Sequence, residues 1–182
     1  MDTLECIMTR RSIRRFTEES IPEEVLEKLL EAVRWAPSWA NTQAVEIIIL
    51  KDKNAREKIV EFLSPNNPSA KGVANAPIVA IICAKIGLAG YKDNKAVTNK
   101  GDWYMFDAGI ASQNLCLAAH ALGLGSVHVG YIDHQKLDEY LDLPSGVKSV
   151  EVIPIGYPAK IGNAPPRRQI NEFVHREKYG NC

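Results

Sequence analysis

Residues 102–122 of this 182-residue sequence read DWYMFDAGIASQNLCLAAHAL and form its longest stretch with helical periodicity. A helix of this composition is apolar nearly all round, so every side of it must be covered. Its small residues let a second helix approach closely. We therefore expect the central helix of a domain, which also lies at a contact between subunits. Its large apolar residues and alanines are Phe106, Ile110, Leu115, Leu117 and Leu122, and Ala108, Ala111, Ala118, Ala119 and Ala121.

An earlier helix is predicted between Ser20 and Pro37. The residues Ser20-Ile21-Pro22-Glu23 have the pattern of a capping box, with proline in the first turn and an acidic residue at the positive end of the helix dipole. An apolar stripe follows at helical spacing and stops before Pro37. The stripe consists of Val25, Leu26, Leu29, Leu30 and Val33. The next residues, 37–43, are predicted to form a loop.

Several apolar runs have the composition of β-strands. Residues 45–50 and 78–83 are typical of strands covered on both faces, and both are predicted to be central strands. A third strong strand is predicted at 147–155. A further strand at 126–132 contains Gly130, and a glycine within a strand often lets a ligand approach the backbone.

The whole chain, residues 1–182, is expected to form one domain, because no linker or repeat divides it. Two more helices are predicted at 54–63 and 133–141. The polar segment 91–100 is expected to be a solvated loop or a mobile lid. Residues 161–182 contain little core and are expected to form an extended arm that lies against a neighbouring subunit.

The composition narrows the classes of function. Lys plus Arg and Asp plus Glu number 22 each, so no overall positive field is present to hold a nucleic acid or an anionic membrane. The start of the chain lacks the pattern of a signal peptide, and no stretch approaches the ~18 apolar residues of a membrane span, so a cytoplasmic location is expected. No metal is predicted, because the histidines and cysteines lack the spacing of a zinc site or a redox pair. The cysteines are Cys6, Cys83, Cys116 and Cys182.

Residues 10–16, Arg-Arg-Ser-Ile-Arg-Arg-Phe, place four guanidinium groups beside a hydroxyl in a chain of zero formal net charge. An arginine offers a planar fork of donors that matches two phosphate oxygens, and Ser12 adds a short-range donor. The segment therefore predicts a local site for a small phosphorylated ligand. The alternative is an exposed basic turn without a ligand.

Familiar nucleotide and hydrolase motifs are missing. The sequence has no GxxxxGK[ST], no GxGxxG after a strand and no GxSxG, which argues against a P-loop, a Rossmann fold and a Ser-His-Asp hydrolase. Asp102 and Asp107 fall at a predicted helix start, where a helix cap or a solvated carboxylate is expected.

Aromatic and amide side chains leave two interpretations open. Trp39 and Trp103 either stack on a flat ligand ring or fill the core. Asn41 and Gln43 either bind polar atoms of a ligand or bond to their own loop backbone.

Taken in chain order, five segments closely resemble the flavin-dependent nitroreductase family, and the resemblance covers essentially the whole chain. It implies an α+β fold in which a mainly antiparallel or mixed sheet is flanked by helices. It also implies an intertwined homodimer that binds FMN at its interface. The segments are RRSIRRF at 10–16, APSWANTQ at 36–43, AHALGLGSVHVG at 119–130, IGYP at 155–158 and Arg167-Arg168.

The same resemblance implies a role for particular residues. One group holds the phosphate and ribityl end of FMN: Arg10, Arg11, Ser12 and Arg14, joined by Arg167 or Arg168 from the arm. A second group comes from the other subunit and approaches the isoalloxazine: Pro37, Ser38, Trp39 and Asn41, with Gln43 supporting their loop. The backbone at Val129 and Gly130 faces the ring near N5.

The activity implied is transfer of a hydride from NAD(P)H through flavin N5 to a nitroaromatic, a quinone or a similar small acceptor, without an obligatory catalytic side chain. Reductive dehalogenation, flavin cleavage and flavin binding without turnover remain alternatives. The chain departs from the family where Ala44-Val45 replace the usual Pro-Trp after Gln43. The third phosphate contact of the family has no clear counterpart, with Ser69 and Lys71 as candidates. The sequence does not choose between NADH and NADPH.

Overall fold

The computed structural model describes residues 1–181, so Cys182 lies outside the described residues. Helices surround one main antiparallel sheet. The helices are α1 (Thr3–Thr9), α2 (Glu23–Arg34), α3 (Lys53–Val60), α4 (Ala70–Asn75), α5 (Tyr104–Ala121) and α6 (His134–Tyr140). The strands are β1 (Val45–Leu50), β2 (Ile78–Lys85), β3 (Tyr91–Lys92), β4 (Lys95–Ala96), β5 (Gly125–Ser126) and β6 (Val147–Gly156). Single 3₁₀ turns lie at Trp39–Asn41 and Ile170–Glu172.

The main sheet has the strand order β1–β2–β6–β5, and each neighbouring pair is antiparallel. The expected α+β fold is therefore confirmed. β2 lies at the centre, and residues 78–84 are buried. The prediction that 45–50 is also a central strand is wrong, because β1 pairs with β2 alone and forms an edge. Helices cover both faces of β1, which makes an edge strand as apolar as a central one.

Two hydrophobic layers lie on opposite faces of this sheet. On one face, Leu29 of α2 and Leu115 of α5 pack against Ile82 of β2. On the other face, Ile59 of α3 and Leu137 of α6 belong to a second cluster of buried residues. Each face of the sheet is thus closed by helices, and the chain ends and connecting loops remain free to form sites at the rim.

Helix α2 ends before Pro37 as predicted, and its apolar stripe faces the first layer, with Leu26 3% and Leu29 0% exposed. The predicted capping box is wrong. The N-cap is Pro22, and no side chain caps the helix. The reason is positional: α2 begins at Glu23, so Ser20 lies two residues before the N-cap and the box is out of register.

Helix α5 is the long central helix that the sequence predicts, and Ala108, Leu115 and Cys116 on its inner side are buried. The expectation that it is covered on every side is wrong for a single chain. Met105 and Phe106 in its first turn are 55% and 59% exposed. An apolar surface of this kind is available for a contact with another molecule.

The predicted strand at 126–132 forms only in part. Strand β5 is limited to Gly125–Ser126, and the remainder contributes isolated bridges, Val129 to Val152 and Ile132 to Leu63. Ile132 N donates to Gly130 O at 3.1 Å, which shows a tight three-residue turn centred on Tyr131 that interrupts the ladder.

Helices α1 and α4 were not predicted, since neither exceeds seven residues and neither shows a full apolar stripe. The segment 91–100 contains the small hairpin β3–β4 rather than an unpaired loop. The arm from residue 161 is exposed almost throughout. Among residues 1–181, no helix is both long and apolar enough to cross a membrane.

Candidate functional site

The N-terminal segment 10–14 and the arm residues 162–167 meet at a cleft of about 340 Å³. Arg10, Arg11, Ser12 and Arg14 form one side of it, and Arg167 comes from the arm. We call this the arginine cleft; its other lining residues are Gly162, Asn163 and Pro165. Arg168 is not part of the lining, and its guanidinium lies 5.4 Å from the ring centre of Phe173. The sequence left open whether Arg167 or Arg168 holds the phosphate, and in the structure only Arg167 of these two lines the cleft.

The arginine cleft concentrates positive charge. Within the described residues, none of its four arginines forms an ion pair with a carboxylate. Arg11 donates to Met8 O and Arg10 O at 2.7 and 2.8 Å, and Arg167 donates to Pro165 O at 3.1 Å. The Nη1 atom of Arg10 is buried and has no hydrogen-bond partner. A buried donor without an acceptor costs free energy, which an anionic ligand would recover.

The neighbouring His120 responds to the same charge. Its Nε2 lies 2.8 Å from Thr9 Oγ1. Burial lowers the pKa of His120, and the charges of Arg10 and Arg11 lower it further. A second cation is thus disfavoured beside the cleft, as expected where positive charge is concentrated.

Backbone hydrogen bonds hold residues 12–17 against the sheet. Ile13 N donates to Ser126 O at 2.9 Å, and Thr17 N donates to Tyr157 O at 2.9 Å. Ile13 is 4% exposed, whereas Ser12 and Arg14 on either side of it are exposed. The alternation buries the isoleucine and turns its polar neighbours outward toward the cleft.

Two glycines make this close approach possible. A Cβ atom on Gly125 would lie 2.6 Å from Ile13 Cγ1, and one on Gly72 would lie 2.9 Å from Arg14 O. Both distances are shorter than real contacts, so any larger residue would push the arginine segment away.

The loop 37–43 has a strained backbone held by two side chains. Ala40, Asn41 and Gln43 have φ angles of 44°, 56° and 49°. Asp107 accepts the Trp39 N–H through Oδ1 and Oδ2, at 3.0 and 3.1 Å. Ser38 Oγ accepts the Gln43 N–H at 3.0 Å. Non-glycine residues with positive φ persist only where surrounding contacts fix them, and they occur often at ligand sites.

Asp107 contradicts the expectation of a helix cap or a solvated carboxylate. It is 1% exposed, and its partner lies outside its own helix. Burial raises the pKa of Asp107, while the hydrogen bond from Trp39 acts in the opposite direction. With Pro37, Ser38 and Gln43, Asp107 lines a second cleft of about 240 Å³, the loop cleft. No sequence signal pointed to this contact, because the two residues are 68 positions apart.

The predicted ring contacts are not assembled within one chain. The arginine cleft and the loop cleft share no lining residue, and Trp39, Asn41, Val129 and Gly130 line neither. The Val129 N–H and C=O are both bonded to Val152, at 3.0 Å each. Gly130 is exposed, and a Cβ atom there would meet nothing within 4 Å. Of these two residues, Gly130 has the backbone that is open to a ligand.

The chain is similar in sequence and in fold to known proteins. Residues 7–157 match the model described as "Nitroreductase family". The chain is 35% identical over 191 residues to an FMN reductase (NAD(P)H) of Bacillus subtilis, covering 99% of this chain and 75% of the relative.

Two solved structures are similar over almost the whole chain. The structure of the hypothetical oxidoreductase YcnD from Bacillus subtilis has a TM-score of 0.84 and 30% identity, covering 100% of this chain and 76% of the other. That of an FMN-dependent nitroreductase from Clostridium difficile has a TM-score of 0.80 and 25% identity, covering 97% and 100%.

Proposed function

We propose that this chain, which belongs to the nitroreductase family, binds FMN and uses NAD(P)H to reduce a small oxidised acceptor, such as a nitroaromatic compound or a quinone. The observation that carries the proposal is the arginine cleft, where four guanidinium groups and a hydroxyl converge and no carboxylate within residues 1–181 pairs with them. When bound, FMN accepts a hydride from the nicotinamide, two electrons and one proton, and passes two electrons to the acceptor as protons are taken up from solvent.

The residues of the arginine cleft fit a phosphate monoester. Arg10, Arg11 and Arg14 approach from the N-terminal segment and Arg167 from the arm, so a dianion would be surrounded by donors. The unpartnered Nη1 of Arg10 is a donor that is ready for a phosphate oxygen. Ser126 lies directly beside this segment, because its backbone forms a bridge with Ser12. Its hydroxyl is buried and has no hydrogen-bond partner. It supplies a further donor to the sugar-phosphate part of the ligand.

We further propose that the active form is a homodimer. The loop 37–43 would contact the flavin ring held by the partner chain, which explains why the arginine cleft and the loop cleft lie apart in one chain. Exposed apolar residues at α1 and after α2 supply the interface. Leu4, Ile7, Met8 and Trp35 are 70%, 51%, 68% and 72% exposed. So many large apolar side chains near one another are typical of an interface rather than of a free surface.

The loop and the backbone at Gly130 would orient the ring. Asp107 and Ser38 fix the loop that carries Trp39 and Asn41. Val129 has no free backbone donor, so the N–H directed to the ring would come from Gly130. A donor at this place stabilises negative charge as the ring is reduced.

The proposal is tested by binding and reduction of FMN. The purified chain should retain or take up FMN, seen in its visible absorbance, and anaerobic NADH or NADPH should bleach that absorbance. Arg14→Ala should weaken FMN binding by about 10-fold to about 150-fold, since a charge-assisted hydrogen bond contributes about 1.5–3 kcal/mol.

Arg15→Ala is the matched control, because Arg15 is exposed in the same segment but does not line the arginine cleft. Equal losses in both variants would contradict the phosphate site. Bound FMN that neither nicotinamide cofactor bleaches would contradict the reductase activity.

A further inference from the structure

His128 lies on the path between the two ends of the proposed flavin site. Ser126 is bridged to Ser12 of the arginine cleft, and Gly130 follows four residues later with its backbone open. Val127 and Val129 are buried in the second layer, together with Val152. Side chains alternate along an extended chain, so Ser126 and His128 point to the opposite side. A ligand with its phosphate beside Ser12 and its ring beside Gly130 would extend along the segment 126–130, to which His128 belongs.

A carboxylate that is mostly buried fixes the orientation of this imidazole. The Nδ1 atom of His128 lies 2.9 Å from Glu151 Oε2, and the two side chains are 36% and 12% exposed. Glu151 belongs to β6 on the same face as Ile153, which faces the layer containing α5. The histidine is therefore held at the rim of that layer with part of its ring open to solvent.

The groups that face His128 favour its charged form. They are the thiol of Cys116 on α5 and the carboxylate of Glu151 on β6, and Cys116 is fully buried. Hydrogen bonds to Cys116 and to Glu151 raise the pKa of His128 to about 10, against the effect of burial. The raised pKa of His128 favours the protonated imidazole at neutral pH, and the Glu151 side chain lies against its Nδ1 atom. None of the interactions assigned above uses this cation.

Resting on the proposed function, we infer that the His128 imidazolium, oriented by Glu151, lies against the flavin and stabilises the negative charge that the flavin carries once reduced. A cation in a partly water-excluded site favours the reduced over the oxidised ligand without changing the arginine cleft. His128 then sets how strongly the bound flavin attracts electrons. Glu151 is a positioning residue that acts through His128.

The test is the reduction potential of FMN bound to the wild type and to His128→Gln, measured by spectroelectrochemistry at pH 7. Loss of the cation should reduce the preference for reduced over oxidised flavin about tenfold, which corresponds to about 30 mV for a two-electron couple. His128→Lys, which retains a positive charge, should recover part of this shift. His134→Gln is the matched control: it removes another histidine, on α6, and should leave the potential unchanged.

Glu151→Gln provides a second readout that does not need the flavin. In the apoprotein, NMR should show His128 protonated well above pH 7 in the wild type and titrating at a lower pH in Glu151→Gln. An unshifted potential in FMN-loaded His128→Gln would overturn this inference alone. A wild type that binds no FMN would overturn the proposed function as well, so the two failures are distinguishable.

Discussion

The carboxylate of Asp107 accepts the backbone N–H of Trp39 through both of its oxygens, at 3.0 and 3.1 Å. This contact joins the first turn of the central helix α5 to the loop 37–43. The loop contains three non-glycine residues with positive φ, so its conformation depends on such external contacts. A buried carboxylate far away in sequence thus fixes the segment that is proposed to approach the flavin ring.

Replacing Asp107 should therefore loosen the loop. Asp107→Ala leaves the partly buried Trp39 N–H without an acceptor, and we expect the free energy of unfolding to fall by about 1–3 kcal/mol in urea titrations. Asp107→Asn retains an acceptor oxygen, and it removes a carboxylate whose pKa is raised by burial. Its free energy of unfolding should therefore fall less than that of Asp107→Ala. Similar losses in the two variants would contradict the role of the Asp107–Trp39 hydrogen bond.

The two adjacent arginines of the arm should differ in their effect on FMN. Arg167 lines the arginine cleft, whereas the Arg168 guanidinium lies over Phe173. Arg167→Ala should weaken FMN binding about tenfold or more, because it removes a charge-assisted contact to the phosphate. Arg168→Ala is its matched control and should bind FMN as the wild type does. Fluorescence titration of the apoprotein with FMN measures both affinities, and the reverse order would assign the phosphate contact to Arg168.

The main elements of the fold could be predicted because their patterns are long. Helices α2 and α5 and strands β2 and β6 carry between eight and eighteen residues of consistent periodicity or apolar composition. Helix α1 was not predicted because it has only seven residues. In addition, Leu4, Ile7 and Met8 face outward rather than into the core of the chain. Propensity over so short a segment is weak, and tertiary contacts decide its structure.

The site could be predicted only where its functional residues are adjacent in the sequence. The arginines and Ser12 stand together in the sequence, and the structure gathers them with Arg167. In contrast, the contacts of Asp107 with Trp39 and of Glu151 with His128 join residues 68 and 23 positions apart. Neither carboxylate belongs to a sequence motif. The partner of each can be identified only from the three-dimensional positions of α5 and β6, which carry Asp107 and Glu151.

The proposed dimer can be tested at the exposed apolar residues of α1. Introducing charge there, with Ile7→Glu and Met8→Glu together, should convert the proposed dimer to monomer, because burying two carboxylates at an apolar interface is strongly unfavourable. Sedimentation velocity at several concentrations measures this change. Ile86→Glu, an isoleucine that is 40% exposed in the turn after β2, is a control for added charge. A wild type that sediments as a monomer at all concentrations would contradict the dimer.

The His128–Glu151 pair should make stability depend on pH in a defined window. The pKa of His128 is raised to about 10 in the folded chain, against about 6.5 for an unperturbed histidine. A histidine whose pKa is raised by folding stabilises the protein fully below the lower value, and this contribution is lost as the pH rises through the higher one. The difference in free energy of unfolding between the wild type and His128→Gln should therefore decrease between about pH 6.5 and about pH 10.

A double-mutant cycle isolates this interaction from other titrating groups. Free energies of unfolding for the wild type, His128→Gln, Glu151→Gln and the double variant give the coupling energy between the two side chains at each pH. The coupling should be favourable at pH 6.5, where the imidazolium faces the Glu151 side chain, and should decline toward pH 10 as the imidazolium loses its proton. A coupling energy that stays constant over this range would mean that the pair is not charged at neutral pH, and it would remove the electrostatic basis for a role of His128 beside the flavin.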